Sequence, residues 1–380
     1  MTWLANPSDT GLAETRSLDS RLKPVRIWLF AIAGLVFAMV VVGGATRLTG
    51  SGLSITEWQP ILGVVPPMSE AAWQDAFEKY RQIPEYSQIN PGMNLEGFKA
   101  IYWWEWTHRL LGRLIGVVFF IPFAVFLARG SIPRATIPRI AALFVLGGAQ
   151  GALGWFMVKS GLADRVDVSQ YRLAAHLALA VAIAAYAFWL ALSIREPTQT
   201  ERRGLAQTSP LPVKLGAPFL AGLVYVQIIG GGFVAGLKAG HASSTWPLMG
   251  GEIIPPGLDA LSPWYVNLFE NPLTAQFAHR VLAYAIAILA AVFAVYVWRA
   301  DQARALRLPI LATIAAVLIQ TALGIATIVY GVPVAIALAH QANAILVLAL
   351  ALWALHRAVS PGGFNSQGNL ASGAKLRMAD

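Results

Sequence analysis

Eight apolar runs, each long enough to cross a membrane as a helix, constrain this chain more than any other feature. A hydrocarbon core of about 30 Å needs about 20 helical residues. The runs lie at 26–46, 103–127, 138–158, 171–193, 216–237, 275–298, 308–330 and 334–356. Only 12% of the residues are charged, against about 25% in a soluble domain. The chain is therefore predicted to be an all-α polytopic membrane protein with eight transmembrane helices.

Basic residues are unevenly shared among the segments that connect the runs. Arginine and lysine concentrate in the N-terminal tail 1–25, in every second connection and in the C-terminal tail near 358–380, whereas the alternate connections mix signs or carry little charge. By the positive-inside rule, both termini are predicted to be cytoplasmic. These loops explain the net charge of +9, so the sequence indicates contact with membrane lipid and no nucleic-acid partner.

The second half of the chain repeats the first. The matching segments and residues are Glu105–Arg109 with Gln276–Arg280, Gly148–Gly154 with Gln320–Gly324, and His176 with His340. A repeat in the same topology implies a pseudo-two-fold axis along the membrane normal. We therefore predict two tandem four-helix bundles, at 26–193 and 216–357, joined by a cytoplasmic linker at 194–215.

Four histidines occupy corresponding places in the repeat: His108, His176, His279 and His340. They lie early in the even-numbered runs, all of which cross from the outside inwards, so they are expected in the outer leaflet. A single histidine in a membrane helix often only bonds a neighbouring helix, but four in register are harder to explain in this way. Two imidazoles in each bundle indicate two bis-histidine haem sites with iron as the bound metal.

The remaining chemistry of the chain narrows the choice of metal site. There is no cysteine, which excludes disulfides, thiolate-bound zinc or haem, and iron–sulfur clusters. His241, in a loop, and His356, at the cytoplasmic end of the eighth run, have no partner in the repeat. Both are expected at the membrane interface rather than at a metal.

The two halves differ at the residue three positions before the histidine. Glu105 precedes His108 on one helix face, whereas Gln276 precedes His279. An ionisable group in a membrane helix is costly and marks a functional site, and glutamine cannot exchange a proton near neutral pH. We predict that Glu105 is the acid/base of an active first half and that the second half holds a stable cofactor. The simpler alternative is an interfacial carboxylate paired with Arg109.

Arginines follow the histidines closely in both halves, at Arg109, Arg113 and Arg280. Their guanidinium groups could neutralise haem propionates, the Glu105 carboxylate or lipid headgroups, and the sequence leaves these alternatives open. Arg280, directly after His279, is the one that we assign to cofactor binding.

Taken together, these motifs resemble the heme A synthase (CtaA-type) family, in its cysteine-free branch of proteobacteria and mitochondria. The resemblance covers about 26–357 and rests on Gly43–Ser54, Glu105–Arg109, His176, Thr245–Met249, His279–Arg280 and His340. It implies an inner-membrane oxidoreductase that converts haem O to haem A by oxidising a ring methyl to a formyl group with oxygen from water. It also implies that His108 and His176 ligate the haem O substrate, that Glu105 is essential, and that haem b lies between His279 and His340.

The resemblance also implies partners. Haem O would come from a haem O synthase, which is a farnesyl transferase, and haem A would pass towards cytochrome oxidase assembly factors. A homo-oligomer is left open. Two other functional classes remain: a quinol-linked bis-histidine haem b electron carrier, which explains the histidines but not Glu105, and a repeat-built transporter, which predicts broken helices with polar groups at the midplane.

Overall fold

The computed structural model describes residues 7–59, 62–164, 166–194, 210–300, 304 and 306–359. Within these ranges, 8 helices are long and apolar enough to cross a membrane. We number them α1 (Pro7–Leu48), α2 (Leu95–Ala128), α3 (Ile137–Asp164), α4 (Gln170–Ser193), α5 (Leu211–Gly236), α6 (Pro272–Arg299), α7 (Arg307–Val329) and α8 (Val334–Val359). The predicted all-α polytopic membrane architecture is confirmed.

Each predicted run corresponds to one continuous helix, which does not match the broken helices of a repeat-built transporter. Two helices begin well before their apolar runs. α1 begins at Pro7, inside the predicted N-terminal tail, and α2 begins at Leu95. The extra turns of α2 bury Phe98 and Tyr102 but expose Glu96, so a search for apolar runs does not detect them. Most of the predicted linker and C-terminal tail, at 195–209 and 360–380, lies outside the described residues.

The eight helices pack as two rings of four. In the first half, α1 and α3 each pack against α2 and α4, and in the second half α5 and α7 each pack against α6 and α8. The helices that carry histidines, α2 with α4 and α6 with α8, are therefore diagonal to each other. The halves meet where α4 packs against α5 and α8, and where α8 packs against α1. Each of these contacts has a counterpart in the other half, although the pseudo-two-fold axis itself stays a prediction.

Two glycines allow the halves to approach closely. A Cβ atom at Gly232 of α5 would lie 3.3 Å from the Cα atom of Ala174 in α4. A Cβ atom at Gly44 of α1 would overlap the side chain of Gln341 in α8. The amide of Gln341 donates instead to the backbone carbonyl of Val40, at 2.6 Å, and so ties α8 to α1.

The segment between α1 and α2, which the search for apolar runs treats only as a connection, is a folded layer. It contains two short helices, Glu70–Arg81 and Pro84–Gln88. Phe77 and Tyr80 of the first short helix pack on Phe98 of α2, with ring centroids 5.2 and 5.3 Å apart. We call the side of the molecule that carries this layer the loop side, and the opposite side the tail side.

Glu85, on the short helix Pro84–Gln88, is a buried acid in this layer and is only 5% exposed. Burial and the nearby carboxylates of Glu105 and Asp167 raise the pKa of Glu85 to about 8, although Tyr80 and Lys238 oppose the change. The folded protein therefore binds this proton more tightly than the unfolded chain does. As the pH rises from about 4.5 to about 8, the free energy of unfolding should fall, and the loss is complete above about pH 8.

A Glu85→Gln variant removes this ionisation, so its unfolding should not show the loss. We expect its melting temperature to match the wild type near pH 5 and to exceed it increasingly up to about pH 9, because each pKa unit corresponds to about 1.4 kcal/mol. Thermal unfolding of the purified proteins measures the difference. Glu78→Gln, an exposed acid of the neighbouring short helix, is the control and should follow the wild type. A constant gap between Glu85→Gln and the wild type at all pH values would contradict the burial of a titrating group.

Candidate functional site

The four predicted histidines lie in the part of their helices nearer the loop side. His108 is on α2, His176 on α4, His279 on α6 and His340 on α8, and each ring is half-buried. In every case the preceding helix lies against the imidazole. The histidines lie on the even-numbered helices, as the sequence predicted, and these helices are diagonal in each bundle; that the four rings bind a metal stays a prediction.

A glycine faces each imidazole from the preceding helix. A Cβ atom at these positions would lie within 2.9 to 3.3 Å of a ring atom; the pairs are Gly43 with His108, Gly154 with His176, Gly231 with His279 and Gly324 with His340. Real Cβ atoms rarely come so close to a neighbouring side chain. The glycines therefore allow each imidazole to pack directly against the backbone of the preceding helix, where the methyl group of an alanine would collide with the ring.

Glutamine amides contact three of the rings. The amide nitrogen of Gln150 lies 3.1 Å from both ring nitrogens of His176. Those of Gln227 and Gln320 lie 3.3 and 3.2 Å from the Nε2 atoms of His279 and His340, respectively. Because an amide N–H donates, the ring nitrogen that it contacts accepts through its lone pair, which is the same lone pair that would bind a metal.

The second pair of histidines has the geometry of a bis-imidazole site. The rings of His279 and His340 face each other across the bundle with their centroids 6.5 Å apart. Two metal–nitrogen bonds of about 2 Å each fit within this separation. Both Nδ1 atoms are buried and have no hydrogen-bond partner among the described residues. These residues fit a haem held through its iron by one imidazole from each side.

The first pair is arranged on the equivalent diagonal helices. His108 lies on α2 and His176 on α4, the helices that correspond to α6 and α8, and their sharing of one site stays a prediction. His108 packs against α1, and Glu105, one turn earlier, faces the chain that follows α1. The spacing of three residues therefore brings the carboxylate and the imidazole to the same side of α2.

Glu105 is 2% exposed, and four donors fill its carboxylate. The Ser54 hydroxyl and the Ile55 backbone N–H donate to Oε2 at 2.8 and 2.7 Å. The Arg109 guanidinium donates to Oε1 through Nε and Nη2, at 3.0 and 2.6 Å. Arg109 also donates to the carbonyls of Ile55 and Glu57. The carboxylate is thus both buried and paired with Arg109, so the pairing that the sequence offered as the simpler alternative is present.

We call the arrangement in which Glu105 and Arg109 hold the loop-side segment a clamp. The second half builds the same clamp without a carboxylate. The Gln276 amide donates to the carbonyls of Gly240 and Ser243, at 3.3 and 3.0 Å. Arg280 donates to the carbonyls of Thr245 and Ser243, at 2.9 and 3.2 Å. In both halves, then, the residue three before the histidine and the arginine after it hold the loop-side segment. The shared role is structural, and the carboxylate is what distinguishes the first half.

Arg280 was predicted to bind the cofactor, and the structure gives its guanidinium another task as well. Its two terminal nitrogens hold the loop-side segment, and its buried Nε has no hydrogen-bond partner among the described residues. Of the remaining histidines, His241 is exposed in a loop, as expected. His356 differs from the expectation, since it is buried on the tail side, with its ring centroid 5.1 Å from that of Trp189 in α4.

Sequence reasoning missed the three glutamines as partners of the histidines. Gln150 and Gln320 stood in the repeated motif, four residues before Gly154 and Gly324, but no role was attached to them. A spacing of four places a glutamine and a glycine on one helix face, and that signal was available. Gln227 precedes Gly231 by the same spacing.

Comparison with known proteins identifies the family. The COX15-CtaA family, described as cytochrome oxidase assembly protein, matches residues 26–352. Three similar proteins carry the name heme A synthase. That of Nitrosospira multiformis is 50% identical over 339 residues, 88% of this chain and 93% of the relative. That of Parvibaculum lavamentivorans is 48% identical, over 89% and 95%, and that of Azorhizobium caulinodans 50% identical, over 87% and 93%. The chain, with its two histidine pairs in eight membrane helices, belongs to the heme A synthase family.

Proposed function

We propose that this protein converts haem O to haem A in the first half and holds haem b in the second. The observation that carries the proposal is the difference between two otherwise equivalent clamps. Glu105 and Gln276 occupy corresponding places, each holds a loop-side segment beside an arginine, and only Glu105 can take or give a proton. A fold that accepts glutamine at this place has no structural need for a buried carboxylate, so the carboxylate is explained by chemistry.

In the first half, His108 and His176 would bind the iron of the haem O substrate. Oxidising a ring methyl to a formyl group with the oxygen of water releases protons and electrons in equal number. Glu105, one helical turn from His108, would take a proton at Oε2, where the Ser54 hydroxyl can turn from donating to accepting. Arg109 keeps the carboxyl in place throughout, and its positive charge balances the ionised form.

In the second half, His279 and His340 would hold haem b between their two rings. Bound there, haem b supplies a redox centre that accepts electrons and passes them on. Arg280, through its free Nε, is placed beside His279 and can serve a propionate. Gln276 offers no proton exchange, which suits a half that keeps its cofactor.

The setting of these sites is also part of the proposal. Basic residues on the tail side support a cytoplasmic location for both termini, and the loop side with its histidines then faces outwards in a bacterial inner membrane. Haem O would arrive from the farnesyl transferase that makes it, and haem A would leave towards cytochrome oxidase assembly. A haem b electron carrier without substrate oxidation is not favoured, since the relatives at about half identity are named heme A synthase.

Expression in a bacterial host that makes haem O but lacks its own heme A synthase tests the function. We expect haem A to accumulate in the membranes of cells that carry this protein, because the missing oxidation is restored. The empty vector should leave haem O and haem b only. Haems are extracted and separated by chromatography. If well-expressed protein leaves haem O unconverted, the proposed function is wrong.

A further inference from the structure

A cavity of about 500 Å³ lies between the first third of α6 and the loop segment before it. The residues that line it include Phe277, Arg280, Val281 and Tyr284 of α6, with Trp246 and Ile254 of the loop. Small organic ligands commonly bind in mainly apolar cavities of about 300–1,000 Å³. This cavity therefore has the size and lining of a site for a small apolar molecule.

The cavity lies outside the bundle and opens towards the membrane. Its α6 residues are three or four positions apart and so share one helix face, whereas His279 lies on the opposite face. Val281 and Tyr284 are exposed, as are Ile288 and Val292 further along the same face. Because this face of a membrane helix meets hydrocarbon, a molecule dissolved in the bilayer can enter the cavity from the side.

The corresponding place in the first half is built differently. Arg113 of α2 corresponds to Tyr284, and its Nη2 atom donates to the carbonyl of Gln59 at 2.9 Å. Trp58, in the loop before α2, lies against α3, whereas the indole of Trp246 donates to the Tyr284 hydroxyl on α6 at 3.1 Å. The cavity thus depends on residues that only the second half has.

We propose that this cavity binds a membrane quinone, which takes the electrons of the reaction from haem b. The inference rests on the proposed function and deepens it by naming the chemical class of the electron acceptor. When a ring methyl becomes a formyl group, its carbon loses two C–H bonds and gains a C=O bond from one water. Four electrons and four protons are released, and two quinones take up all of them as they become two quinols.

The cavity wall offers what a quinone head group requires. The Tyr284 hydroxyl accepts from Trp246, and within the described part of the chain its own hydrogen has no acceptor, so it can donate to a quinone carbonyl. The positive charge of Arg280 favours the arrival of electrons on the quinone. A helix with its side chains is about 10–12 Å across, so haem b at His279 would lie one helix from the cavity, within reach of electron transfer.

Photolabelling of the purified full-length protein in phosphatidylcholine vesicles tests the inference. The probe is a light-activated azido derivative of a short-chain ubiquinone, and mass spectrometry locates the label. Val281→Trp fills the cavity, and Tyr284→Phe removes the donor. Val292→Trp is the matched control, since it adds the same bulk to the same face of α6 outside the cavity. The competitors are decylubiquinone and decylbenzene, which has the same tail without carbonyl groups.

We expect label within 246–254 and 277–284 in the wild type and in Val292→Trp, displaced by decylubiquinone and not by decylbenzene. Tyr284→Phe should weaken labelling by about two- to tenfold, the effect of one hydrogen bond. Val281→Trp should abolish it, and unchanged thermal unfolding shows that the variants are folded. Equal displacement by both competitors would mean that the cavity holds any apolar chain, such as a lipid tail, and would overturn the inference. Undiminished label in Val281→Trp would overturn it too.

Electron transfer provides a second readout. Haem b in the purified protein is reduced without oxygen, and its oxidation by added decylubiquinone is followed with the absorption spectrum. Val281→Trp should slow this oxidation by about tenfold or more, and Val292→Trp should not change it. If cells with the wild type make haem A but decylubiquinone does not oxidise its haem b, the inference alone is wrong. If they make no haem A, the proposed function is wrong, whether or not a quinone binds.

Discussion

Replacing Glu105 with glutamine should stop haem A formation while haem b stays bound in the second half. The substitution removes the Glu105 carboxyl but keeps the size of the side chain, and Gln276 shows that the clamp can be built around an amide. General acid–base groups contribute about a hundred- to ten-thousandfold to rates, so we expect haem A output to fall by at least a factor of about a hundred. Membranes of cells that make haem O provide the measurement.

The reciprocal substitution is the matched control for this result. Gln276→Glu places a carboxyl in the second half, beside Arg280, and should leave haem A formation to the first half. The double variant, Glu105→Gln with Gln276→Glu, should stay inactive, because the second site is built to keep its haem. If Glu105→Gln made as much haem A as the wild type, the acid/base role would be wrong. Glu105 would then be a structural residue that holds Ser54 and Ile55.

Replacing His279 with alanine should empty the haem b site. The variant loses one of two opposed imidazoles and leaves His340 with no ring at 6.5 Å. Since loss of a mere supporting partner costs about ten- to a hundredfold in metal affinity, loss of a ligand should cost more than that. The amount of haem b bound per purified protein, read from the absorption spectrum, should approach zero. Haem A formation should also fall, because electrons could no longer leave through haem b.

His356→Ala is the control for this experiment. His356 belongs to the same half and is buried, but it lies on the tail side against Trp189. Its removal should cost stability without changing the haem b content. If His279→Ala retains haem b while His356→Ala loses it, the assignment of the second site is wrong.

The parts of the fold that follow from hydrophobic length could be predicted from sequence. Eight spans and their pairing into halves follow from apolar runs and from the repeated motifs around His108 and His279. The start of α2 could not be predicted from apolar content, because its first turns are amphipathic and pack on the short helices of the loop-side layer. A search for apolar runs cannot detect these contacts, because the short helices of the layer, Glu70–Arg81 and Pro84–Gln88, are themselves mostly polar.

The candidate ligands could be proposed from the sequence, but the contacts around them could not. Glu105 and Arg109 are four apart on one helix, so their pairing follows from spacing. Their contacts with the chain after α1 do not follow from spacing. Glu105 accepts from Ser54 and Arg109 donates to the Ile55 carbonyl, and these contacts join residues about fifty positions apart and depend on how the chain returns after α1. The partners of the histidines are likewise set by packing between helices.

The most direct test of the account is the haem content of the purified wild type and Glu105→Gln proteins, separated by chromatography. If the first half is a substrate site and the second a haem b site, both proteins contain haem b, with haem A beside it in the wild type and haem O beside it in the variant. Haem b alone in both proteins would contradict it, because the first half would then hold no substrate.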